Sequence, residues 1–267
     1  MDFDRFGRSV GRKLLFKDPV IGRQLLLCPL VGPRYFEFEF VRSCIPNVPE
    51  SCLDISSPYL FSTYLASQNP SAKISIQNPD VRDAEFTSRI AKLLDLKNLH
   101  STSDNVENLS SSAARYQCAW SISVFEHIDG DCDDSKAIRL VYESLRPGGT
   151  LAVTVPVDRV FRNEYRQSDA YGTQPKVGDG TYFYQRFYDL EALKNRLWDP
   201  IGVMPEKVEW FGENEAGIFA RHEEQRLNDR IRFTVSYPEI MARHYSRFDA
   251  WQAMPGMGIC GFLIRKP

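Results

Sequence analysis

One segment, residues 116–157, restricts the fold more than any other part of the sequence. It opens with a short apolar run at 118–124, interrupted by two serines, which is typical of a buried parallel strand. Asp133, Asp134 and Ser135 then offer side-chain acceptors to the free N–H groups of a helix start. The helix that they begin has one apolar face, formed at i, i+3, i+4 and i+7 by Ile138, Val141, Tyr142 and Leu145. The segment therefore predicts a strand followed by an amphipathic helix.

A second strand is predicted directly after this helix. Pro147, Gly148 and Gly149 end the helix, because proline cannot continue the hydrogen-bond ladder and glycine accepts left-handed angles. Residues 150–155 (TLAVTV) are rich in β-branched side chains and suit a buried strand. Strand, helix and strand in this order make a right-handed crossover, so the sequence predicts an α/β fold.

Two fragments of this segment resemble a known family. SISVFEHI, then an acidic helix start, then ESLRPGGTLAVTVP resemble the fourth-to-fifth-strand region of class I S-adenosylmethionine-dependent methyltransferases. The resemblance is to their broad small-molecule branch, of the methyltransferase type 11-like kind. Each fragment alone is a weak signal, and it is their order and spacing over ~40 residues that carries the resemblance.

The resemblance implies a Rossmann-like, doubly wound sheet of seven mostly parallel strands, with the last strand antiparallel. It places a methyltransferase domain at residues 49–267, after an N-terminal helical extension at residues 1–48. Insertions are expected at about 158–188 and 213–255. The implied cofactor is S-adenosyl-L-methionine.

Composition disfavours several other classes of protein. With 43% hydrophobic and 25% charged residues among 267, the chain has the composition of a soluble globular protein. A net charge of −2 provides no basic field, so we expect no nucleic-acid partner. Six scattered cysteines without C-x-x-C pairs predict reduced thiols, no metal site and a cytoplasmic protein. We expect no signal peptide, because Asp2, Asp4 and Arg5 precede any apolar segment, and no transmembrane segment, because the longest apolar stretch, at 25–31, is too short.

The N-terminal extension leaves two questions open. Residues 1–33 are basic and carry one apolar helical face. We expect a helix packed on the catalytic domain; a substrate lid and a helix that touches a membrane surface are the alternatives. Residues 34–45 (RYFEFEFVRSCI) fit a strand by strict alternation and also fit a helix. The resemblance favours a helix, because the family usually places one before its first strand.

The family's cofactor loop falls on residues 51–58 (SCLDISSP). Asp54 keeps the acidic position, but Ser56, Ser57 and Pro58 replace the usual glycines, which let a backbone approach the cofactor closely. In one hypothesis the serines cap the next helix and its exposed N–H groups bind the cofactor's carboxylate. In the other, the loop no longer binds cofactor. We favour the first and expect Asp54, Ser56 and Ser57 to serve the cofactor.

Two further positions depart from the family pattern, and a third carries the expected adenine contact. Its second strand ends in an acid that takes both ribose hydroxyls, whereas Gln77 and Asn78 stand there. An amide still bonds a hydroxyl, without the charge-assisted component. Asp104, after the third strand, is the expected adenine contact, and a solvated loop acid is an equal interpretation. The acid that usually opens the fourth strand is replaced by Gln117.

Ser123, Glu126 and His127 stand at the end of the fourth strand, at the carboxyl edge where open α/β sheets bind ligands. We expect Ser123 and Glu126 near the cofactor. His127 is the candidate general base, because an unperturbed imidazole has a pKa of ~6.5. A structural histidine is an equal alternative, because many methyltransferases act mainly by positioning their two reactants.

Both insertions are candidates for acceptor binding. Residues 158–188 are rich in tyrosine and glycine and are predicted to form a substrate-covering loop. Aromatic faces suit an acceptor or a sulfonium cation, and arginine suits a carboxylate or phosphate. The candidates are Tyr171, Tyr182, Tyr184 and Arg186. A surface flap with solvated charges is the alternative. For residues 213–255 we expect acceptor selection or dimer contact.

The sequence therefore predicts an S-adenosylmethionine-dependent methyltransferase for an O, N or C nucleophile of a small-molecule, glycan or lipid-linked acceptor. Peripheral membrane contact is compatible with this prediction. The alternative is a non-catalytic binding or scaffold protein on the same fold, with a degenerate cofactor loop. A nicotinamide oxidoreductase is disfavoured because no G-x-G-x-x-G follows a predicted strand. A nucleic-acid methyltransferase is disfavoured because no N-P-P-Y-like motif occurs.

Overall fold

The computed structural model describes residues 2–109, 114–169, 172, 174, 176–228 and 238–267. The strands in these residues are β1 Ser51–Ile55, β2 Lys73–Gln77, β3 Leu99–Thr102, β4 Tyr116–Ile122, β5 Leu145–Val157, β6 Arg162–Arg166, β7 Tyr182–Phe187, β8 Lys207–Glu213, β9 Tyr245–Phe248 and β10 Gly258–Arg265. Eight of them form one sheet in the order β3-β2-β1-β4-β5-β10-β8-β9, and β6 pairs with β7 separately.

The large sheet is parallel on one side and antiparallel on the other. Strands β3, β2, β1, β4 and β5 run parallel, whereas β10 is antiparallel to both β5 and β8. This confirms the predicted α/β sheet with mostly parallel strands and an antiparallel last strand. The second insertion adds β9 as an eighth strand beside β8. The sequence did not predict β9, because four residues are too few to show a strand period.

Helices cover both faces of the sheet. They are α1 Asp2–Leu14, α2 Pro19–Leu27, α3 Arg34–Cys44, α4 Tyr59–Gln68, α5 Val81–Leu93, α6 Asp134–Glu143, α7 Leu190–Leu193 with a π-helical continuation Lys194–Trp198, α8 Ile218–Asn228 and α9 Pro238–His244. Helices α1 to α5 share one hydrophobic core with one face of the sheet, and α6 and α7 share the second core with the other face. Successive strand residues alternate between the two cores, as Cys52 and Leu53 do in β1. The fold is therefore doubly wound.

The ambiguous segment before β1 is a helix, as the resemblance indicated. Helix α3 buries Phe36, Phe38 and Phe40 together, so the alternating phenylalanines all serve the core of a helix rather than one face of a strand. The same helix buries a carboxylate, Glu37, between them. The alternation was therefore a misleading strand signal.

The turn between α6 and β5 differs from the sequence prediction. Asp133 caps α6 as expected, by accepting a hydrogen bond from the Lys136 amide. The helix ends at Glu143, however, and Leu145 already pairs with Tyr116 of β4. The Gly148 amide donates to the Lys266 carbonyl at 2.9 Å, so the Pro-Gly-Gly run belongs to the irregular start of the strand.

The two insertions have more regular structure than the sequence indicated. The first contains the β6–β7 hairpin instead of a loop alone, and the second contains α8, α9 and β9. Residues 229–237 of the second insertion lie outside the described residues. Among the helices that the structure describes, none is long and apolar enough to cross a membrane.

Helices α1 and α2 form an antiparallel hairpin that depends on close backbone contact. A Cβ atom added to Gly11 would lie 2.5 Å from the Leu26 amide nitrogen, and one added to Gly22 would lie 2.6 Å from Leu15 Cα. Real side chains do not approach a backbone so closely, so only glycine at these two positions allows the two helices to lie this close together.

Replacing Gly11 by alanine should therefore destabilise the protein by about 1–3 kcal/mol, because the new methyl group displaces α2. In an ordinary helix the same change stabilises the protein by up to about 1 kcal/mol. The sign of the change in the free energy of unfolding therefore shows whether the close contact exists. Denaturant unfolding measures the difference. Ser9→Ala, on the exposed face of α1, is the control and should stay within about 0.5 kcal/mol of the wild type. A stabilised Gly11→Ala variant would contradict the close contact.

Candidate active site

A cavity of about 1240 Å³ opens at the carboxyl ends of the parallel strands. The last residues of β1, β2 and β4, which are Ile55, Gln77 and Ile122, all line it. Open α/β sheets bind ligands at this edge, because the loops that leave the strands converge there. Ligand pockets have volumes of about 300–1,000 Å³, so this cavity is large enough for two molecules side by side.

The loop after β1 turns into the cavity at a residue with left-handed backbone angles. Ser56 has a φ of +49° and lines the cavity. Its amide and its hydroxyl both donate to the Gln77 carbonyl, at 2.9 and 2.8 Å. Two bonds to the neighbouring strand thus stabilise a backbone conformation that normally selects glycine. The loop keeps a glycine-like turn although its glycines are replaced.

Asp54 and Ser57 stabilise this loop through hydrogen bonds and do not line the cavity. The Asp54 carboxylate is fully buried and accepts hydrogen bonds from the Ser57 amide, at 2.9 Å, and from the Ser62 hydroxyl. Burial raises the pKa of this carboxyl, and the bonds from Ser62 and Ser57 act in the opposite direction. The Ser57 hydroxyl accepts a bond from the Ile122 amide of β4 at 3.0 Å.

The predicted capping of α4 by these serines is wrong. No side chain caps α4, because both hydroxyls bond to neighbouring strands. Pro58 itself is the capping residue and lines the cavity, so the N-terminus of α4 still faces the cavity.

The end of β2 presents an amide oxygen without a partner. Gln77 Oε1 is buried, and no described group donates a hydrogen bond to it. Asn78 instead is held by the chain, since its Nδ2 donates to Asp83 at 2.6 Å and its Oδ1 accepts from the Asp80 amide. Asp83, which the sequence analysis missed, also lines the cavity, and burial raises its pKa. A ribose-like diol would find both an amide and a carboxyl acceptor here.

The loop after β3 lines the cavity through residues next to the predicted one. Asp104 is exposed and does not line it, whereas Asn105, Val106 and Glu107 do. Gln117 stands at the start of β4, where the family usually has an acid. Its side chain accepts a hydrogen bond from the Glu50 amide at 2.8 Å and so connects the starts of β1 and β4.

The end of β4 is bound to a buried carboxylate of α3. Ser123 lines the cavity with a φ of +51°, and its hydroxyl donates to Glu37 Oε1. Thr154 of β5 donates to the same oxygen at 2.8 Å, and Arg34 donates to Glu37 Oε2 at 2.5 Å. Arg34 also lines the cavity. Glu37 was missed at the sequence level, although an acid between buried phenylalanines was a signal for it.

Glu126 and His127 lie side by side at the floor of the cavity. Glu126 Oε2 is buried and receives no hydrogen bond from the described residues. Burial, and then the negative charge of Glu37, raise the pKa of Glu126 well above its usual value. A bound N–H or O–H donor would satisfy this oxygen, because an acceptor buried without a partner is costly.

His127 has a defined tautomer. Its Nδ1 lies 2.6 Å from the Tyr184 carbonyl, which can only accept, so Nδ1 carries the proton and Nε2 is the basic atom. Nε2 lies 3.9 Å from Glu126 Oε1. Burial lowers the pKa of His127 to about 4, and the charges of Arg34, Arg166 and Arg186 act in the same direction. The imidazole is therefore neutral at neutral pH and able to accept a proton.

The first insertion forms one wall of the cavity. Tyr184 lines it, and the guanidinium of Arg166 lies 3.2 Å from the centre of the Tyr184 ring. Tyr182 does not line the cavity, and Tyr171 lies outside the described residues. Arg186 is turned away: it is buried and donates to the Ile128 carbonyl, at 2.5 Å, and to Asp129. Its guanidinium thus holds the hairpin to the loop after β4 and is not presented to a ligand.

The second insertion also lines the cavity. Phe219, Met241 and Tyr245 give it an apolar surface, and the buried His222 adds one polar group. The Nδ1 atom of His222 lies 3.0 Å from the Tyr245 hydroxyl. Burial lowers the pKa of His222, and the neighbouring His244 and Arg221 contribute to the shift. The part of the chain that the structure describes holds no group of His, Cys, Asp or Glu residues suited to a metal ion.

Comparison with known proteins identifies the fold. No protein-family model and no curated protein sequence matches the chain. Among solved structures, coclaurine N-methyltransferase, bound to N-methylheliamine and S-adenosylhomocysteine, matches with a TM-score of 0.57 at 11% identity, over 87% of this chain and 72% of that chain. Geranyl diphosphate C-methyltransferase from Streptomyces coelicolor A3(2) matches with a TM-score of 0.55 at 10% identity, over 87% and 77%.

A third similar structure is the [4+2]-cyclase SpnF, with a TM-score of 0.54 and 16% identity over 87% of this chain and 80% of that chain. The chain therefore has the fold of class I S-adenosylmethionine-dependent methyltransferases, as the resemblance implied. The cyclase shows that proteins of this fold are not restricted to one reaction.

The imidazole of His127 should titrate near pH 4 in the folded protein, and NMR of ring protons checks this. In the unfolded chain a histidine binds its proton near pH 6.5. The unfolded state therefore binds more protons between these two values, and the folded protein loses stability as the pH falls through this window. His127→Gln should lose less stability over the same window. A folded-state midpoint near pH 6.5 would contradict the burial of the ring.

Proposed function

We propose that this protein is an S-adenosylmethionine-dependent methyltransferase with a small-molecule acceptor. The observation that carries the proposal is the buried, unpartnered Gln77 Oε1 at the carboxyl edge of a sheet with the methyltransferase fold. An acceptor atom in this place is satisfied by a donor that enters the cavity, from solvent or from a ligand, and a ribose hydroxyl is such a donor. The S-adenosylhomocysteine bound in the similar coclaurine N-methyltransferase supports the same cofactor.

The residues around the loops fit this cofactor. Gln77 and Asp83 would bind the ribose hydroxyls. The apolar Val106 also lines the cavity and would pack against the adenine ring. The N-terminus of α4 at Pro58 favours a carboxylate, because the helix dipole and the first amides are positive there. When bound, S-adenosylmethionine supplies a methyl group on a sulfonium ion. Ser56 and Ser123 would then border it by their backbone turns.

Glu126 and His127 are the proposed groups for proton transfer. His127 Nε2 is a neutral base whose ring is fixed by the Nδ1 bond to the Tyr184 carbonyl. Glu126 Oε2 offers a bond to the donor of a bound acceptor. Both groups would orient an amine or hydroxyl, and His127 Nε2 would take its proton, while the cavity walls exclude water. Orientation of the acceptor would supply much of the rate gain.

The insertions support an acceptor of small size with an apolar part. Phe219, Met241 and Tyr245 on one side and Tyr184 on the other leave a space beyond the proposed cofactor residues. The coclaurine and geranyl diphosphate methyltransferases act on small molecules, by their names, and so support the same class of acceptor. A glycan or a lipid-linked acceptor would have to leave the cavity between the two insertions.

The other candidate is a non-catalytic binding protein on this fold. The replaced glycines of the cofactor loop favour it, although Ser56 keeps the left-handed turn. The two candidates differ in one measurable property, which is the affinity for the cofactor.

Calorimetric titration with S-adenosylmethionine and S-adenosylhomocysteine should give micromolar dissociation constants. Gln77→Ala should raise both dissociation constants about five- to tenfold, which corresponds to the loss of one hydrogen bond to a buried acceptor. Gln68→Ala, an exposed glutamine of α4, is the matched control and should bind as the wild type does. Absence of binding at millimolar cofactor, with an unchanged far-UV spectrum, would favour the non-catalytic candidate.

Methyl transfer itself is tested by S-adenosylhomocysteine formation with a panel of small amines, phenols and enols. His127→Ala should lower kcat by about 10²–10⁴-fold for the accepted compound, because the proton acceptor is lost. Its dissociation constant for S-adenosylmethionine should stay close to that of the wild type. An unchanged kcat across pH would assign His127 a structural role only.

A further inference from the structure

The turn between α1 and α2 exposes an aromatic side chain within a group of cations. Phe16 is 93% exposed and Val20 is 70% exposed. Four exposed basic residues lie within about one helical turn of them, in the last turn of α1, in the connection and in the first turns of α2. We name this surface the tip patch; it consists of Arg12, Lys13, Phe16, Lys17, Val20 and Arg23.

The tip patch is held rigidly by the hairpin beneath it. The contacts of Gly11 and Gly22 lock α1 against α2. Asp18 caps α2 by accepting a bond from the Ile21 amide at 3.2 Å, and it forms an ion pair with Arg89 of α5. The Lys17 and Asp18 amides both donate to the Leu14 carbonyl. Phe16 is therefore presented to solvent by an ordered turn, and its exposure does not result from a frayed terminus.

The electrostatic character of the tip patch is opposite to that of the whole chain. The protein has a net charge of −2, yet Asp18 is the only acid between positions 5 and 36. Asp18 is 4% exposed and paired with Arg89, so it does not compensate the surface cations. Within the described residues, none of the four cations of the tip patch forms an ion pair with a carboxylate.

We propose that the tip patch docks the protein on an anionic lipid surface. An aromatic ring that enters the interface, surrounded by lysine and arginine that meet acidic headgroups, is the chemistry by which peripheral proteins hold such membranes. A lipid surface fits better than a protein partner, because the exposed apolar area of the tip patch consists of only two side chains, Phe16 and Val20, surrounded by cations. The cavity is lined by residues that follow α2, at the other end of a helix about 13 Å long. Docking therefore leaves the cavity accessible, and the inference does not depend on the proposed function.

Co-sedimentation with vesicles tests the inference on the full chain. The protein should sediment with vesicles of phosphatidylcholine and phosphatidylserine in a two-to-one ratio, and far less with phosphatidylcholine alone or at high salt. Lys13→Gln combined with Lys17→Gln should weaken binding about thirtyfold, since each cation near an anionic surface contributes about fivefold. Phe16→Ser should weaken it several-fold. Met204→Ser, which removes another exposed apolar side chain far along the sequence, should bind as the wild type does.

Three outcomes would overturn the inference. The first is a wild-type protein that remains in the supernatant with anionic vesicles. The second is binding that is unchanged in the Phe16 and lysine variants, which would place the contact elsewhere. The third is self-association in size-exclusion chromatography that Phe16→Ser abolishes, which would make the tip patch a contact between copies of the chain. Thermal unfolding verifies that each variant is folded, and exposed positions should leave Tm unchanged.

Discussion

A buried carboxylate on α3, Glu37, connects the N-terminal extension to the edge of the sheet where the cavity lies. It receives bonds from Ser123 after β4, from Thr154 in β5 and from Arg34 on its own helix. A buried charge is costly unless its oxygens are satisfied, so the three donors together stabilise α3 in this position. The same contacts fix the left-handed turn at Ser123 and place Arg34 at the cavity. The extension is thus part of the site and not only a cover on the fold.

The two serines with positive φ show how the site keeps a tight geometry without glycine. A left-handed conformation is strained for serine, and the surrounding structure must compensate for the strain. Ser56 bonds the Gln77 carbonyl through its hydroxyl, and Ser123 bonds Glu37. Glycine would adopt both turns more easily but would lack these bonds. The replacement of the loop glycines therefore changes which interactions hold the turn, and the backbone still faces the cavity.

The elements that the sequence predicted are those with a local signal. The apolar run of β4, the cap at Asp133 and the β-branched run of β5 all depend on neighbours in the chain, and they identified the crossover and the α/β class. The positions of Asp83 and His222 at the cavity have no such signal, and neither do the long-range contacts of Glu37. The Glu37–Thr154 bond joins residues separated by 117 positions, and no period in the sequence reports a contact of that kind.

Capping by Ser56 and Ser57 was a sound local expectation, but strands β2 and β4 competed successfully for the two hydroxyls. Arg186 was expected to bind an anionic group of a ligand through its positive charge. Its guanidinium instead holds β7 to the loop after β4.

Burial decides the charge of the groups that meet at the floor of the cavity. It lowers the pKa of His127 and raises the pKa of Glu126, so both shifts favour the neutral forms. The neutral imidazole keeps a lone pair on Nε2 that accepts a hydrogen bond or a proton, and the lowered pKa makes it a weaker base than a solvent-exposed histidine. Burial is the main cause of the lowered pKa of His127, and the positive charges of Arg34, Arg166 and Arg186 add to it, because a further positive charge is unfavourable beside them. The N-terminal extension and the first insertion therefore contribute, together with burial, to the neutral state of the imidazole that follows β4.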